Sequence, residues 1–389
     1  MKLVWTAALS LLALNAAQAQ TSRLTVLGPL YGGVSSYSAG INDSGQVAGY
    51  SMGSNGYTAA VWPGNGGVVS LGTLGGTSSF SYAINNAGQV VGASNIADNS
   101  GAHAILYGPW TVSSNSPGSD LGTLGGSGSS AQAINNAGQV VGWSSTSGNA
   151  TIHATLWSNG GITDLGSLGG NPSLSFSHAF GINDKGQVVG DSNAYPIVLD
   201  HATLWSNGHI TDLGTLGGAN STALSINNNG QVAGEAQTSV GAYHAFLWSN
   251  GAIIDLGTLG GANSYAHAIN NAGEVVGTSD TSLGERAFIE SEGAGMVDLN
   301  NFLDADSKNA GWVLTDAMGI NNQGQVTGEA TNTLTNQQRA YVLSLPATAA
   351  VPEPESYALA FVGLAVIFGA VRRSTNTQPG SGHLSVNAS

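Results

Sequence analysis

Ile84-Asn85-Asn86-Ala87-Gly88-Gln89-Val90-Val91-Gly92 is one copy of a nonapeptide that recurs seven times, starting at Ile41, Ile84, Ile134, Ile182, Ile226, Ile269 and Ile320. Its general form is Ile-Asn-(Asp/Asn)-x-Gly-(Gln/Glu)-Val-x-Gly, and successive copies lie 43, 50, 48, 44, 43 and 51 residues apart. A second theme fills the intervals. It is clearest as His244-Ala245-Phe246-Leu247-Trp248-Ser249-Asn250-Gly251 followed by Asp255-Leu256-Gly257-Thr258-Leu259-Gly260-Gly261. Self-similarity at this period marks a repeat architecture whose units stack to share a core.

Each unit reads as four short strands. The first ends at Ile-Asn, as in Ser81–Asn85, and the Asn-x-Gly that follows suits a tight reversal. Asn bonds its own backbone there, and Gly accepts a positive φ. The second strand is the Gln-Val-x-Gly run, as in Gln89–Ser94. The third is the His-Ala-x-Leu-Trp run, which Ser-Asn-Gly turns into a fourth, Ile-x-Asp-Leu-Gly, before a Gly-Gly crossover to the next unit. Four-stranded units of this length fit propeller blades, whereas a parallel β-helix wants shorter coils. The last unit has strands near Asp316–Asn321, Gln325–Glu329 and Arg339–Leu345 but lacks a fourth, while Leu24–Leu30 supplies a spare strand ahead of the first unit. The sequence therefore predicts an all-β fold over residues 20–345: a seven-bladed β-propeller of four-stranded blades, closed by an N-terminal strand in the last blade so that no sheet edge stays open.

Composition agrees. Of 389 residues, 58 are Gly and only 8% are charged, against about 25% in an average domain. That argues against a helical fold, while 41% hydrophobic residues supply enough core to exclude a disordered chain. Eight Lys and Arg against 22 Asp and Glu, a net charge of −14, exclude a basic nucleic-acid footprint. With no Cys there is no disulfide, thiolate nucleophile or Cys-ligated metal.

The two ends read as addresses. Met1–Ala19 has one Lys, an apolar run from Leu3 to Leu14 and Ala17-Gln18-Ala19, the order of a secretory signal peptide cut by signal peptidase between Ala19 and Gln20. Residues 346–355 form a linker containing Pro352-Glu353-Pro354. Residues 356–373 follow as an apolar helix ending in Arg372-Arg373, and 374–389 as a polar tail. Its fifteen apolar residues would span about 22 Å, and the arginines would hold that end on the cytoplasmic side. This order of parts resembles the PEP-CTERM sorting signal. The resemblance implies handling by an exosortase, a membrane-embedded cysteine protease-like enzyme, during export to the surface of Gram-negative bacteria, with membrane contact only through this helix before processing. Sixteen residues follow the basic pair here, where such signals usually stop soon after it. The repeats themselves resemble the extracellular HAF-repeat family, on the His-Ala-Phe at His244 and the Asp-Leu-Gly-Thr-Leu-Gly-Gly and Ile-Asn elements. That resemblance implies secretion and a repeat scaffold, with no established reaction.

Catalytic signatures are missing: there is no Gly-x-Ser-x-Gly, His-Glu-x-x-His or phosphate loop. His103, His153, His201 and His244 occupy one position in four blades, which would hold them apart rather than converge them on a metal, and a structural role is expected. Asp120, Asp164, Asp212, Asp255 and Asp298 repeat likewise and are expected to protect edges or bond turns. Asp304-Ala305-Asp306-Ser307-Lys308 begins like a calcium loop, but Lys308 stands where a third oxygen ligand is wanted. No cofactor or metal is expected. The repeats diverge most in the loops between units: the step from the blade Asp to the next Ile-Asn is usually 14 residues, but 18 after Asp164 and 22 after Asp298. Insertions on one face often mark the binding face, so Pro172, Tyr195 and Trp312 are candidate ligand contacts, the aromatics by stacking on sugar rings. These features lead to the expectation of a non-enzymatic, secreted cell-surface or matrix protein that binds extracellular polysaccharide. The alternatives are a structural matrix protein without a specific ligand, or a glycan lyase or hydrolase, which would need acid and base residues that the sequence disperses by blade.

Overall fold

The computed structural model describes residues 23–54, 56–64, 67–109, 118–169, 175–194, 199–291 and 295–345. The signal peptide with its Ala19–Gln20 cleavage site, the Pro352-Glu353-Pro354 motif, the Arg372-Arg373 pair and the apolar segment and tail around them lie outside the described residues, as do Pro172 and Tyr195.

Seven antiparallel sheets of four strands each form the blades of a propeller. Blade 1 is β2 (Ser35–Ile41), β3 (Val47–Gly53), β4 (Gly56–Trp62) and β5 (Val69–Ser70). Blade 2 is β6 (Gly75–Ile84), β7 (Val90–Ile96), β8 (Ala102–Tyr107) and β9 (Ser119–Asp120). Blade 3 is β10 (Gly125–Ile134), β11 (Val140–Thr146), β12 (Ile152–Ser158) and β13 (Gly161–Asp164). Blade 4 is β14 (Ser177–Ile182), β15 (Val188–Ala194), β16 (Leu199–Ser206) and β17 (His209–Asp212). Blade 5 is β18 (Gly217–Ile226), β19 (Val232–Thr238), β20 (Tyr243–Ser249) and β21 (Ala252–Asp255). Blade 6 is β22 (Ser264–Ile269), β23 (Val275–Thr281), β24 (Gly284–Ser291) and β25 (Gly295–Asp298). Blade 7 is β26 (Trp312–Ile320), β27 (Gln325–Asn332) and β28 (Gln337–Ser344), completed by β1 (Arg23–Leu27), which pairs antiparallel with β28 in the register Leu24↔Leu343 and Leu27↔Ala340. The expected closure is thus formed. In blades 2, 3 and 5 the innermost strand starts earlier than the sequence suggested, because the Gly-Gly of the crossover already pairs with the second strand.

The nonapeptide explains itself once its hydrogen bonds are traced. In every copy the Asn side-chain oxygen accepts the N–H groups two and four residues on, as Asn183 does from Lys185 and Gln187, and so fixes the turn. The turn Gly sits at φ between +71° and +82° in all seven copies, from Gly45 to Gly324, a region that disfavours side chains. The final Gly of the motif faces a bulge in the innermost strand. A Cβ there would lie 1.8–2.0 Å from that strand's carbonyl oxygen in all seven blades, so no other residue fits.

The same Asn ties blade to blade. Its Nδ2 donates to the backbone carbonyl of the next copy's Asn, at 2.9–3.2 Å, in the unbroken cycle Asn42, Asn85, Asn135, Asn183, Asn227, Asn270, Asn321 and back to Asn42. One residue on, the side-chain oxygens of Asp43, Asn86, Asn136, Asp184, Asn228, Asn271 and Asn322 each accept a neighbouring backbone N–H at 2.9–3.0 Å, a second closed ring. At six interfaces the Ala after the first residue of the His-Ala motif donates its N–H to a buried Ser hydroxyl of the next blade, ending with Ala340 to Ser36 across the closure. Apolar clusters fill all seven interfaces, each drawn from two adjacent blades. Replacing Asn183 by Ala removes the cross-blade donor to the Asn227 carbonyl, which keeps only the Gly230 N–H, and strips the Lys185 and Gln187 N–H groups of their side-chain acceptor. It is expected to lower the unfolding free energy by roughly 1–3 kcal/mol, read from chemical denaturation. Deleting β1 is expected to lower the melting temperature further, since it bares the β28 edge. A melt identical to that of the intact protein would show that β1 does not close the ring.

Candidate functional site

Innermost strands line a channel with two unlike ends. At the turn end a polar cavity of 170 Å³ is walled by the two rings of Asn and Asp. Its groups are committed to each other: Asp43 accepts from the Asn86 and Asn322 amides, and Asp184 from those of Asn136 and Asn228. Burial works against ionisation of both carboxyls, but the donors on them win and hold both below the usual carboxylate range. This end is structural.

The other end, on the side of the crossover loops, carries the chemistry. A cavity of 330 Å³ is floored by six of the seven Ile of the motif and walled by the residues two positions before each copy's Ile: Ala39, Tyr82, Gln132, Phe180, Leu224, His267 and Met318. Two residues earlier again, across the bulge, stand Tyr37, Phe80, Ser130, His178, Thr222, Tyr265 and Asp316, of which Phe80 and His178 touch the wall residues Tyr82 and Phe180. Their cross-strand partners are Tyr50, Ala93, Trp143, Asp191, Glu235, Thr278 and Glu329. No two blades contribute the same set.

Blades 1 and 2 give an aromatic wall. Tyr37 stacks on Tyr50 at 5.1 Å, Phe80 meets Tyr50 edge-on at 5.1 Å, and Tyr82 lies parallel to Phe80 at 6.3 Å. A second group forms where His178 meets Phe180 at 5.9 Å and Trp143 at 6.4 Å. Blades 4 to 7 give an acidic wall. His178 Nδ1 pairs with Asp191 at 2.9 Å, and His267 Nε2 with Asp316 at 3.3 Å. The Thr278 hydroxyl also donates to Asp316, the Tyr341 hydroxyl donates to the Asp316 carbonyl at 3.0 Å, and the Gln338 amide donates to Glu329 Oε2 at 2.8 Å.

Environment separates these groups. Burial opposes the charging of His267, but Asp316, Glu235 and Glu329 around it hold its imidazole above the ordinary value. Burial likewise opposes ionisation of Asp316, yet His267 and Thr278 keep its carboxyl low. Burial, with the Asp316 charge beside it, pushes Glu329 up to about 7, and burial with Asp191 nearby raises Glu235. The sequence reading held that acidic groups are dispersed by blade. The ring corrects this, because blades distant in sequence converge at the axis.

The repeated His and Asp sit on outer strands and pair within their own blades: His103 with Asp120 at 2.8 Å, His153 with Asp164 at 2.7 Å, His201 with Asp212 at 2.7 Å and His244 with Asp255 at 2.9 Å. Each Asp also accepts the N–H two residues on, shaping the exit into the crossover. Blade 1, with Thr58 for His, has Ser70 for Asp, so the pair is lost as a unit. Among the described residues no group of three or more His, Asp or Glu is placed to hold a metal ion, and no helix is long and apolar enough to cross a membrane. Asp304 caps a short helix, α1 (Ala305–Asn309), by accepting the Ser307 N–H. Trp312 does not sit in an exposed loop as expected: it opens β26, half-buried against the core shared by blades 6 and 7. Of the candidate ligand contacts chosen from loop length, Trp312 alone lies among the described residues, and it is not among those that line the channel cavity. The signal that finds the wall is the set of positions two and four before each Ile-Asn, where a repeat otherwise kept seven times stops repeating.

Residues 167–348 match the DUF3466 family, described as a protein of unknown function. No curated protein matches the chain. Among solved structures it is similar to Pyrococcus horikoshii acylaminoacyl peptidase, with a TM-score of 0.50 and 10% identity over 79% of this chain and 51% of that one. It is also similar to the extracellular domain of the one component system BT4673 from B. thetaiotaomicron (TM-score 0.47, 10% identity, 84% of this chain and 40% of that one). A third likeness is to TolB from Acinetobacter baumannii (TM-score 0.43, 12% identity, 64% and 62%). The chain spans 40–62% of the length of these structures, and the likeness is one of fold alone.

Glu329 titrates near 7 in the fold against 4.5 when unperturbed, so the folded state holds its proton more tightly. Stability from this group is full below the lower value and is lost as pH rises through the higher one. Glu329→Gln removes that loss, so the variant is expected to gain melting temperature over wild type between pH 5 and pH 8. A gap between the two proteins that stays constant with pH counts against a raised carboxyl.

Proposed function

We propose that the chain is a secreted cell-surface or extracellular-matrix protein that binds extracellular polysaccharide at the channel mouth and does not turn it over. The observation that carries this reading is the contrast between frame and wall. Ile, Asn, Gly and Ser repeat around the ring because closure needs them. The wall residues differ in every blade, so the fold does not dictate them. Aromatic faces beside carboxylates and amides are the groups that bind sugars, the rings by stacking and the oxygens by accepting hydroxyl hydrogens. The N-terminal signal-peptide pattern supports export by signal peptidase. The Pro352-Glu353-Pro354 motif with Arg372-Arg373 supports sorting by an exosortase in a Gram-negative bacterium, with the apolar segment as a transient anchor in the inner membrane.

One observation favours a second reading. Asp316 and Glu329 face each other across β26 and β27, one carboxyl held low and the other raised to about 7. Such a split is how a base and an acid are made from two carboxyls, and it suits a glycan lyase or hydrolase.

Titrating the purified protein with the producing cell's extracellular polysaccharide, while assaying new reducing ends and unsaturated products, separates these readings. Saturable binding without turnover is expected, and Tyr50→Ala is expected to weaken it about fivefold, the worth of one aromatic contact of about 1 kcal/mol. Turnover abolished by Glu329→Gln would establish the enzyme instead. Absence of binding would leave a structural matrix protein.

A further inference from the structure

We infer that the polysaccharide bound at the channel mouth carries free amines: a hexosamine chain whose ammonium groups meet Glu235, Asp316 and Glu329 while its rings stack on Tyr50, Phe80 and Tyr82. This rests on the reading of the mouth as a carbohydrate site and adds the class of sugar.

Acidic groups on the wall outnumber the cations that could pair with them. Every ion pair within 4 Å among the described residues is a His–Asp pair. No Lys or Arg compensates the wall, so two imidazoles, His178 and His267, face four carboxylates. Both imidazoles are already spent, on Asp191 and Asp316. Glu329 accepts a side-chain donor at only one oxygen, from Gln338, and Glu235 accepts none among the described residues, its charged neighbours being His267 and Asp191. Two carboxyls thus stand near His267, itself a lining residue of the 330 Å³ cavity, with acceptor capacity that the protein leaves unused.

Ligand classes divide cleanly against this wall. A uronic acid or sulfated chain brings negative charge to a chain already at −14 and is repelled. A neutral chain offers hydroxyls but leaves the carboxylate charge unpaired in a confined space, which is costly. An ammonium offers three donors and a charge of the right sign, and the aromatic arc alongside attracts cations through its ring faces. Only the aminated sugar uses both walls.

The test is calorimetric titration of the purified full chain at pH 7, where Glu329 is part ionised, and at low salt, with three β-1,4-linked hexamers, of glucosamine, of N-acetylglucosamine and of glucose, and with a lysine hexapeptide. The glucosamine hexamer is expected to bind at least about tenfold more tightly than the other three ligands. Its advantage should shrink with added salt and disappear in the Glu235→Gln/Glu329→Gln double variant. Tyr50→Ala should weaken all three sugars alike. Equal affinity for the three hexamers would overturn the amine inference and leave the carbohydrate reading standing. Binding of the lysine peptide as tightly as the glucosamine hexamer would overturn it by showing that charge alone attracts. No binding by any hexamer would overturn both. The comparison among ligands on the wild-type protein decides the matter even if the double variant fails to fold.

Discussion

Everything in this molecule hangs on an amide that serves two turns at once. The Asn of each Ile-Asn bends its own chain through its side-chain oxygen and reaches the next blade through its nitrogen, seven times around. A propeller blade buries little by itself and is stable only beside two neighbours. A bond whose donor and acceptor are the same residue type in successive units makes every interface alike. Closure then costs no special residues except at the seam, where β1 joins β28 and Ser36 meets Ala340. Asn holds a separate acceptor oxygen to fix the turn and donor nitrogen to cross the gap, where Ser and Thr offer one oxygen for both. Asp lacks the donor, and Gln places it one carbon further out.

That economy frees the rest of the channel. With the turn end locked and the Ile floor packed, the strand positions two and four residues earlier take no part in the repeated bonds of the frame and meet one another across blades, as His267 meets Asp316 and Phe80 meets Tyr50. The largest aromatic group is in blades 1 and 2, with Trp143, Phe180 and Tyr265 further round, and the carboxylates are in blades 4, 5 and 7. A lopsided wall on a nearly symmetric frame gives a ligand one orientation, which a ring of identical residues could not.

The fold was almost wholly legible because its determinants are local and repeated. Asn-x-Gly fixes each hairpin, and the spare strand at Leu24 betrays the seam. Strand starts were misjudged where Gly75, Gly125 and Gly217 pair across a bulge, since Gly reads as loop in a linear scan but can follow a strand where backbones crowd. The site was much less legible. His267 and Asp316 are 49 residues apart and belong to different blades, and only the ring's curvature brings them within 3.3 Å. Loop length drew attention to Trp312, whose insertion instead folds into α1 and a core contact, with Asn300 of that insertion bonding both backbone groups of Leu314. Across the seven copies the wall positions are the ones that vary, which is information in the sequence that only the architecture makes meaningful.

The two kinds of His in the chain show why position rather than residue type decides chemistry. The outer four sit on third strands that pack against the blades on either side, as β12 does through Ala154 and Trp157, each beside one Asp that is itself tied to a backbone N–H. Each pairs within its own blade, and its geometry is used up in holding the crossover. His267 also has an Asp, but it stands at the axis, where carboxyls from blades 5 and 7 converge on it. Its pairing with Asp316 neutralises one of the converging carboxyls and leaves Glu235 and Glu329 without a cation. A fold that needed a silent core would have placed Lys or Arg there, or apolar groups like Leu224 and Met318 in the same ring. The carboxyls left without a cation are therefore a property of the site and not of the scaffold, and they are the feature that any ligand at this mouth has to meet.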